Sequence, residues 1–241
     1  MKIGLVSALM MDNDLDHQLK QIEYYVAQYS NCDLLCFGES YLQGFEGLSW
    51  NYSEDLKRAI NVDSIVIKHL KNLACKNSTA ISFGFIEECQ GALYSSNMVI
   101  DVDGKILDLF RRVSIGWKEK IAGNMYKEGV GFHTFQFMGK TFTTAICGDL
   151  WHDCFLNEMK NIDADIILWP LYIDFSVKDW DEKDKYDYAE RVGGLDAHVL
   201  MINSYVNDIS RANGGCYVFY QNKIISSLDM GRVGILDFDI D

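Results

Sequence analysis

The sequence has little proline, no excess of positive charge and no long apolar run. Its 241 residues contain one proline, Pro170, so no Pro-rich linker divides the chain, and we expect residues 1–241 to form a single domain. No stretch approaches the roughly 18 uncharged apolar residues of a membrane span, so we expect no membrane association. The net charge of −13 makes binding to a nucleic-acid backbone unfavourable, because phosphates would be repelled.

Paired cysteine motifs are also missing. None of the seven cysteines stands in C-x-x-C spacing, which excludes a zinc ribbon and a thioredoxin-type motif. The apolar start of the chain is short and precedes a polar, acidic segment, so it predicts a strand and not a signal peptide. Free thiols without a secretion signal predict a cytoplasmic location. Cys32 and Cys36 lie in a strand-like run, where we expect them to fill the core.

Strand and helix patterns alternate from end to end. In the first half, strands are predicted at 2–8, 33–37, 80–86, 94–100 and 106–110, with helices at 14–29 and at 63–76, the second capped by Asp63. In the second half, strands are predicted at 132–137, 141–146, 165–169, 199–206, 216–220, 223–227 and 233–239, with helices at 155–161 and 184–198. Two similar halves predict an α/β architecture with two sheets face to face and helices outside.

The candidate nucleophile is Cys147. It follows the β-rich run 141–146 and precedes Gly148 and Asp149. A thiol at the end of a strand, just before the chain turns, is held out of the sheet, as in a nucleophile elbow. A buried thiol is only a small hydrophobe, whereas an accessible thiol beside a base is a reagent. Cys147 therefore needs a base and an oxyanion stabiliser from elsewhere in the chain.

Glu39 is the candidate base. It ends the apolar run 33–38, and a carboxylate at the end of an apolar strand is costly unless it has a partner or a task. A desolvated position suits a carboxylate to general-base work. The alternative is an acid that caps nearby backbone N–H groups, and the local sequence alone favours this alternative.

Three motifs taken in order resemble the nitrilase, or carbon–nitrogen hydrolase, superfamily. They are Glu39 with Gly44-Phe45, then Phe110-Arg-Arg-Val-Ser-Ile115 with Glu119, then Ala145-Ile-Cys-Gly-Asp-Leu150. The superfamily has a glutamate with a later Gly-Tyr, then Arg-Lys-x-His-Leu and a second glutamate, then Ile-Cys-x-Asp-Leu. The resemblance implies a four-layer αββα sandwich with two mixed sheets flanked by helices, usually as a homodimer, and a site without metal or cofactor.

The resemblance also implies the reaction, hydrolysis of a small carboxamide through a cysteine thioester. Cys147 would attack the carbonyl carbon, and Glu39 would take the thiol proton and later activate water. The backbone N–H of Gly148 and a cation would stabilise the oxyanion. Glu119 stands where the family has its second glutamate, which helps to position the cation and the substrate.

The main departure from the family pattern is Arg112, which stands where the family has a lysine. An arginine fork can hydrogen-bond an oxyanion but stays protonated, so it cannot give a proton to a leaving amine. Three alternatives remain open. Arg112 is the cation of a working hydrolase, or Lys118 or Lys120 supplies the ammonium, or the chain keeps the fold as a binding or assembly protein. We expect Glu39 to lie within hydrogen-bond reach of the Cys147 thiol and Arg112 to lower its pKa, so that Cys147 is the only fast-reacting cysteine of the seven.

The surroundings of Cys147 carry further predictions. Trp151, Trp169 and Tyr172 follow the nucleophile or the next strand, where they either contact substrate or belong to the core. The run from Cys147 to Trp151 also resembles Cys-Glu-Asp-Leu-Trp in the glutaminase part of glutamine-dependent NAD synthetases, so a unit that supplies ammonia to a partner is another alternative. Ser114, in place of a family histidine, is expected to affect only the shape of the pocket. His152 is predicted to lie at the surface or behind the site residues, and not to act as a catalytic partner of Cys147.

Overall fold

Two six-stranded mixed sheets form the centre of the molecule. The computed structural model describes residues 1–240. The first sheet has the strand order β12-β1-β2-β3-β4-β5 and the second β11-β10-β9-β8-β7-β6. The strands are β1 Lys2–Ser7, β2 Leu34–Cys36, β3 Ala80–Cys89, β4 Ala92–Ile100, β5 Ile106–Arg111, β6 Thr134–Phe137, β7 Lys140–Thr144, β8 Ile166–Leu171, β9 His198–Asn203, β10 Cys216–Tyr220, β11 Lys223–Leu228 and β12 Gly234–Asp239.

Helices lie along the outer faces of both sheets. They are α1 Leu15–Gln28, α2 Tyr52–Arg58, α3 Ile65–Asn77, α4 Asp153–Met159, α5 Val177–Asp179 and α6 Lys185–Val192, with a π-helical turn Trp180–Asp184 between the last two. Short 3-10 turns occupy Phe45–Gly47, Ile115–Trp117 and Cys147–Trp151. No helix within residues 1–240 combines the length and apolar character needed to cross a bilayer.

Alternation of apolar side chains along the strands produces four layers. Leu34 and Cys36 of β2 point into a central core that also contains Ile166 and Leu168 of β8, so the two sheets pack face to face. Leu35, between them, points instead to the outer core formed with α1 and α3. The second sheet repeats this pattern against α4 and α6. Because both faces of each sheet are covered, the inner strands are apolar on both sides, and the expected αββα sandwich is confirmed.

Three local predictions are wrong or incomplete. The helix cap is Ser64 and not Asp63, because the Ser64 side chain accepts the N–H of Ile67. The helix predicted at 184–198 ends at Val192, where two glycines follow, and His198 already belongs to β9. The helix α2 was not predicted, because its sequence is polar and shows no apolar stripe.

The topology brings chain segments from both sheets to one place. Glu39 follows β2, Cys147 follows β7, and Tyr172 follows β8, three strands that run parallel to neighbours in their sheets. In open α/β sheets, functional groups gather beyond the carboxyl ends of such strands. The N–H of Glu39 donates to the carbonyl of Leu171 at 3.3 Å, so the first sheet touches the second at this edge.

Candidate active site

Cys147 lies at a strained turn. Its φ is +45°, a left-handed conformation that costs roughly 1–2 kcal/mol for a residue with a side chain, and it begins the 3-10 turn Cys147–Trp151. The Trp169 indole Nε1–H donates to the Cys147 carbonyl at 2.9 Å, and Sγ lies 4.0 Å from the carbonyl oxygen of Tyr172. The residue keeps part of its surface exposed, although protein atoms surround the sulfur closely enough to desolvate it. The surrounding structure therefore holds the thiol in a conformation that the local chain disfavours.

Glu39 is a buried carboxylate in which one oxygen is hydrogen-bonded and the other is not. The residue is 1% exposed. Its Oε1 accepts hydrogen bonds from Arg112 Nη1 at 2.8 Å and from the Ser95 hydroxyl at 3.2 Å. Its Oε2 is buried and has no hydrogen-bond partner among residues 1–240. A buried oxygen without a partner is costly, and this one is free to accept a proton.

Arg112 is the cation beside Glu39. It is 4% exposed, and its Nε donates to the Ser114 hydroxyl at 2.8 Å. Burial opposes the charged guanidinium, but the charges of Glu39 and Asp149 and the hydrogen bond to Glu39 raise the pKa of Arg112 overall, so it stays protonated. Its third nitrogen, Nη2, lies beside Gly148 and donates to none of residues 1–240, which leaves it available to an anion.

Asp149 connects the turn that carries Arg112 to the turn that carries Cys147. Its Oδ1 accepts the backbone N–H groups of Val113 and Ser114, at 3.2 and 2.8 Å, and its Oδ2 accepts that of Ile146 at 2.9 Å. Burial raises the pKa of Asp149 to about 6, against the opposing effect of these hydrogen bonds. One carboxylate thus fixes the position of the cation relative to the thiol.

The Cys147 thiol is neutral at rest. Burial raises the pKa of Cys147 to about 12, the charge of Glu39 adds to this effect, and Arg112 opposes it. Arg112 lowers the pKa of Cys147, as expected, but burial of the sulfur and the charge of Glu39 outweigh this effect, so the net shift is upward. Proton removal from this thiol needs the adjacent carboxylate, since a free thiolate is scarce near neutral pH.

Glu119, Lys118 and Lys120 are not brought to the Glu39–Arg112 pair. Lys118 Nζ pairs with the Glu128 carboxylate at 2.5 Å and donates to the Tyr126 carbonyl. Glu119 and Lys120 are exposed, and the side chain of neither forms a hydrogen bond or ion pair within residues 1–240. The alternative in which a nearby lysine replaces Arg112 therefore has no support in the geometry.

Two of the three predicted aromatic residues, Trp151 and Tyr172, lie at the border of the site, whereas Trp169 is fully buried. The Tyr172 ring stacks on Phe45 with centroids 4.5 Å apart, and its hydroxyl bonds to Glu46 at 2.8 Å. Arg211 donates to the same hydroxyl at 2.9 Å. Trp151 is 41% exposed and packs edge-on against Tyr188. His152 is exposed, as predicted.

Four polar contacts of the site were not predicted from the sequence, those of Ser95, Ser114, Asp149 and Trp169. The Cys147-Gly-Asp149 motif contains the signal for Asp149, but only the structure shows that its oxygens accept three N–H groups. Ser114 does more than shape a pocket, because its hydroxyl holds Arg112 Nε. No group of three or more potential metal ligands occurs among residues 1–240.

The fold and the site together define an αββα sandwich with a thiol, a carboxylate and a cation at the meeting edge of its sheets. The carbon–nitrogen hydrolase family model matches residues 2–228. The chain belongs to the carbon–nitrogen hydrolase family.

Individual relatives match more distantly. N-carbamoylputrescine amidase of Solanum tuberosum is 32% identical over 130 residues, which are 52% of this chain and 42% of the relative. Citrullinase of Francisella tularensis subsp. tularensis is 30% identical over 139 residues, 55% of this chain and 47% of the relative. The chain thus matches less than half the length of these curated relatives. An amidase structure from Nesterenkonia sp. has a TM-score of 0.80 at 16% identity, covering 100% of this chain and 90% of that chain, which shows the same fold.

Proposed function

We propose that the chain hydrolyses the C–N bond of a small carboxamide through a thioester on Cys147. The observation that carries this proposal is the Glu39 carboxylate, whose charge acts on the nearby Cys147 thiol while Arg112 holds one of its oxygens and the other, Oε2, is buried without a partner among residues 1–240. The names of the similar relatives, two of them amidases, support the same reaction class. A structure of a glutamate variant of the Nesterenkonia amidase shows covalent addition of the acetamide moiety of fluoroacetamide at its active-site cysteine.

In the first half-reaction, the Cys147 S–H proton passes to Glu39 Oε2 as Sγ bonds to the carbonyl carbon. The carbonyl π electrons move to oxygen, and the resulting oxyanion accepts hydrogen bonds from Arg112 Nη2 and the Gly148 N–H. Collapse of this intermediate breaks the C–N bond, and the protonated Glu39 gives its proton to the leaving nitrogen. Arg112 stays charged throughout, so its inability to release a proton does not block the step.

In the second half-reaction, Glu39 takes a proton from a water molecule as that water attacks the thioester carbon. The second oxyanion uses the same donors, and its collapse breaks the C–S bond. The proton on Glu39 returns to the sulfur, and the carboxylic acid leaves. Asp149 and Ser114 act through position alone, because they hold Arg112 and the Cys147 turn in register. Trp151 and Tyr172 border the substrate. Glu119 makes no contact that would give it a role in the reaction.

The direct test is detection of an acyl-enzyme. Small amides, including acetamide, butyramide and an N-carbamoyl amine, are incubated with the protein, and rapid-quench intact-mass measurement and ammonia release are recorded together. We expect an acyl adduct that maps to Cys147. Glu39→Gln should slow ammonia release by about 10²–10⁴-fold, as for a lost general base.

Cys154→Ser is the matched control, because Cys154 is an exposed thiol only seven residues away, and it should leave turnover unchanged. Ammonia release that survives in Cys147→Ala would contradict the proposal. Binding of amides without any adduct or ammonia would replace the hydrolase by a binding protein with the same fold.

A further inference from the structure

Gly148, directly after the thiol, is a glycine that the backbone does not require. The residue in the left-handed conformation at this turn is Cys147, and Gly148 is not among the glycines of positive φ. Glycine is normally selected where a side chain cannot adopt the backbone conformation. Gly148 does not have a positive φ, so we attribute the absence of a side chain at position 148 to the lack of space around it.

The space that a side chain at position 148 would need is filled by Arg112. A Cβ built on Gly148 would lie 2.6 Å from Arg112 Nη2 and 3.7 Å from Arg112 Cζ, and its other near neighbour is the Ser114 hydroxyl at 3.3 Å. No backbone atom is among these three nearest atoms. The conflict is therefore with one side chain, the guanidinium of the proposed cation.

The guanidinium cannot give way without losing its contacts. Its Nη1 is held by Glu39 and its Nε by Ser114, both at 2.8 Å, and the residue is buried. A shift of Nη2 by the ångström needed to relieve a 2.6 Å contact would rotate the planar fork and lengthen both hydrogen bonds. The terminal atoms of an exposed arginine side chain could move aside, but here two hydrogen bonds hold the whole guanidinium in place.

We propose that Gly148 is a positioning residue whose missing side chain makes the space for the Arg112 guanidinium beside the thiol. Positions 112 and 148 are then coupled, because an arginine at 112 requires glycine at 148, whereas the thinner lysine chain at 112 does not. The catalytic consequence rests on the proposed function, since a displaced Arg112 would no longer direct Nη2 to the oxyanion. The steric coupling itself does not depend on turnover.

The experiment is a double-mutant cycle of wild type, Gly148→Ala, Arg112→Lys and the double variant, with melting temperature and kcat measured for each. In the arginine background, Gly148→Ala should lower the melting temperature and reduce kcat by about tenfold or more, as for residues in direct contact. In the lysine background, the same change should leave the melting temperature unchanged or raise it, because alanine restricts the unfolded chain more than glycine does. Additive effects in the two backgrounds would overturn the proposal.

Gly116 provides the matched control, because a Cβ there would lie 3.3 Å from the same Nη2, a contact that a shift of only a few tenths of an ångström relieves. Gly116→Ala should change kcat less than about threefold. If Gly148→Ala fails to fold, a folded double variant supports the coupling, and a double variant that also fails overturns it. If no variant hydrolyses amides, the proposed function fails, while the melting temperatures still decide whether Gly148 makes the space for Arg112.

Discussion

Removal of the Arg112 charge tests how strongly the buried carboxylate depends on it. Arg112→Met keeps an unbranched side chain that fills part of the same space. It removes the only side-chain cation bonded to Glu39 within residues 1–240. Loss of one partner from a buried ion pair costs about 3–5 kcal/mol, because the remaining charge is left in a poorly solvated place. For a chain of this length, each kcal/mol lowers the melting temperature by about 2–4 °C, so we expect a fall of about 6–20 °C.

Two further variants isolate the cause of that loss. In Glu39→Gln/Arg112→Met both charges are gone, and most of the lost stability should return, since neutral replacements of a buried pair are often tolerated. Lys57→Met removes one partner of an exposed pair with Glu54 and should cost less than about 1 kcal/mol.

The assay is equilibrium urea unfolding with calorimetry at neutral pH and fixed protein concentration. A loss in Arg112→Met no larger than that of the surface variant would refute the reasoning. A double variant that is less stable than Arg112→Met would show that the cost comes from lost packing and not from the unpaired carboxylate.

Three further predictions concern reactivity, pH and assembly. Iodoacetamide should alkylate Cys147 preferentially, because it carries the amide that the proposed site takes and Glu39 can accept the thiol proton. Iodoacetate lacks that amide and should favour the exposed Cys154; peptide mapping that shows the same preference for both reagents would argue against the site. The hydrogen bond to Asp108 raises the pKa of His133 above 6.5, so the pair stabilises the fold below that pH and the effect is lost as pH rises through the raised pKa. His133→Gln should therefore lower the melting temperature more at about pH 5.5 than at about pH 8.5, and an equal loss at both would contradict this. We expect a homodimer of two 27.5 kDa chains, and light scattering that finds only monomer at micromolar concentration would disprove it.

The layers of the fold were predictable because each strand alternates or is wholly apolar, and each long helix carries an apolar stripe. Leu34, Leu35 and Cys36 are a run of three apolar residues because both faces of β2 are buried. The ends of helices were less predictable, since Asp63 and Ser64 are both good caps and only the backbone geometry selects one.

The site was predictable in its principal residues and unpredictable in its electrostatics. Glu39, Arg112 and Cys147 stand in ordered motifs, so the sequence indicates that they meet. Ser95 carries no such signal, because its role depends on a contact with Glu39 across 56 residues of chain. The direction of the Cys147 pKa shift could not be predicted from neighbouring residues in the sequence either. It depends on how far burial desolvates the sulfur and on how strongly the charges of Glu39 and Arg112 act on it.

The link that the Asp149 side chain makes between the two sheets has a consequence for folding during synthesis. Glu39 and Arg112 follow strands of the first sheet, Cys147 follows a strand of the second, and the Asp149 carboxylate ties the two segments together. A nascent chain that has left the ribosome only as far as β6 has an acid and a cation but no thiol beside them. The thiol reaches the acid and the cation only when the second sheet packs on the first, so the proposed turnover requires both sheets to be folded.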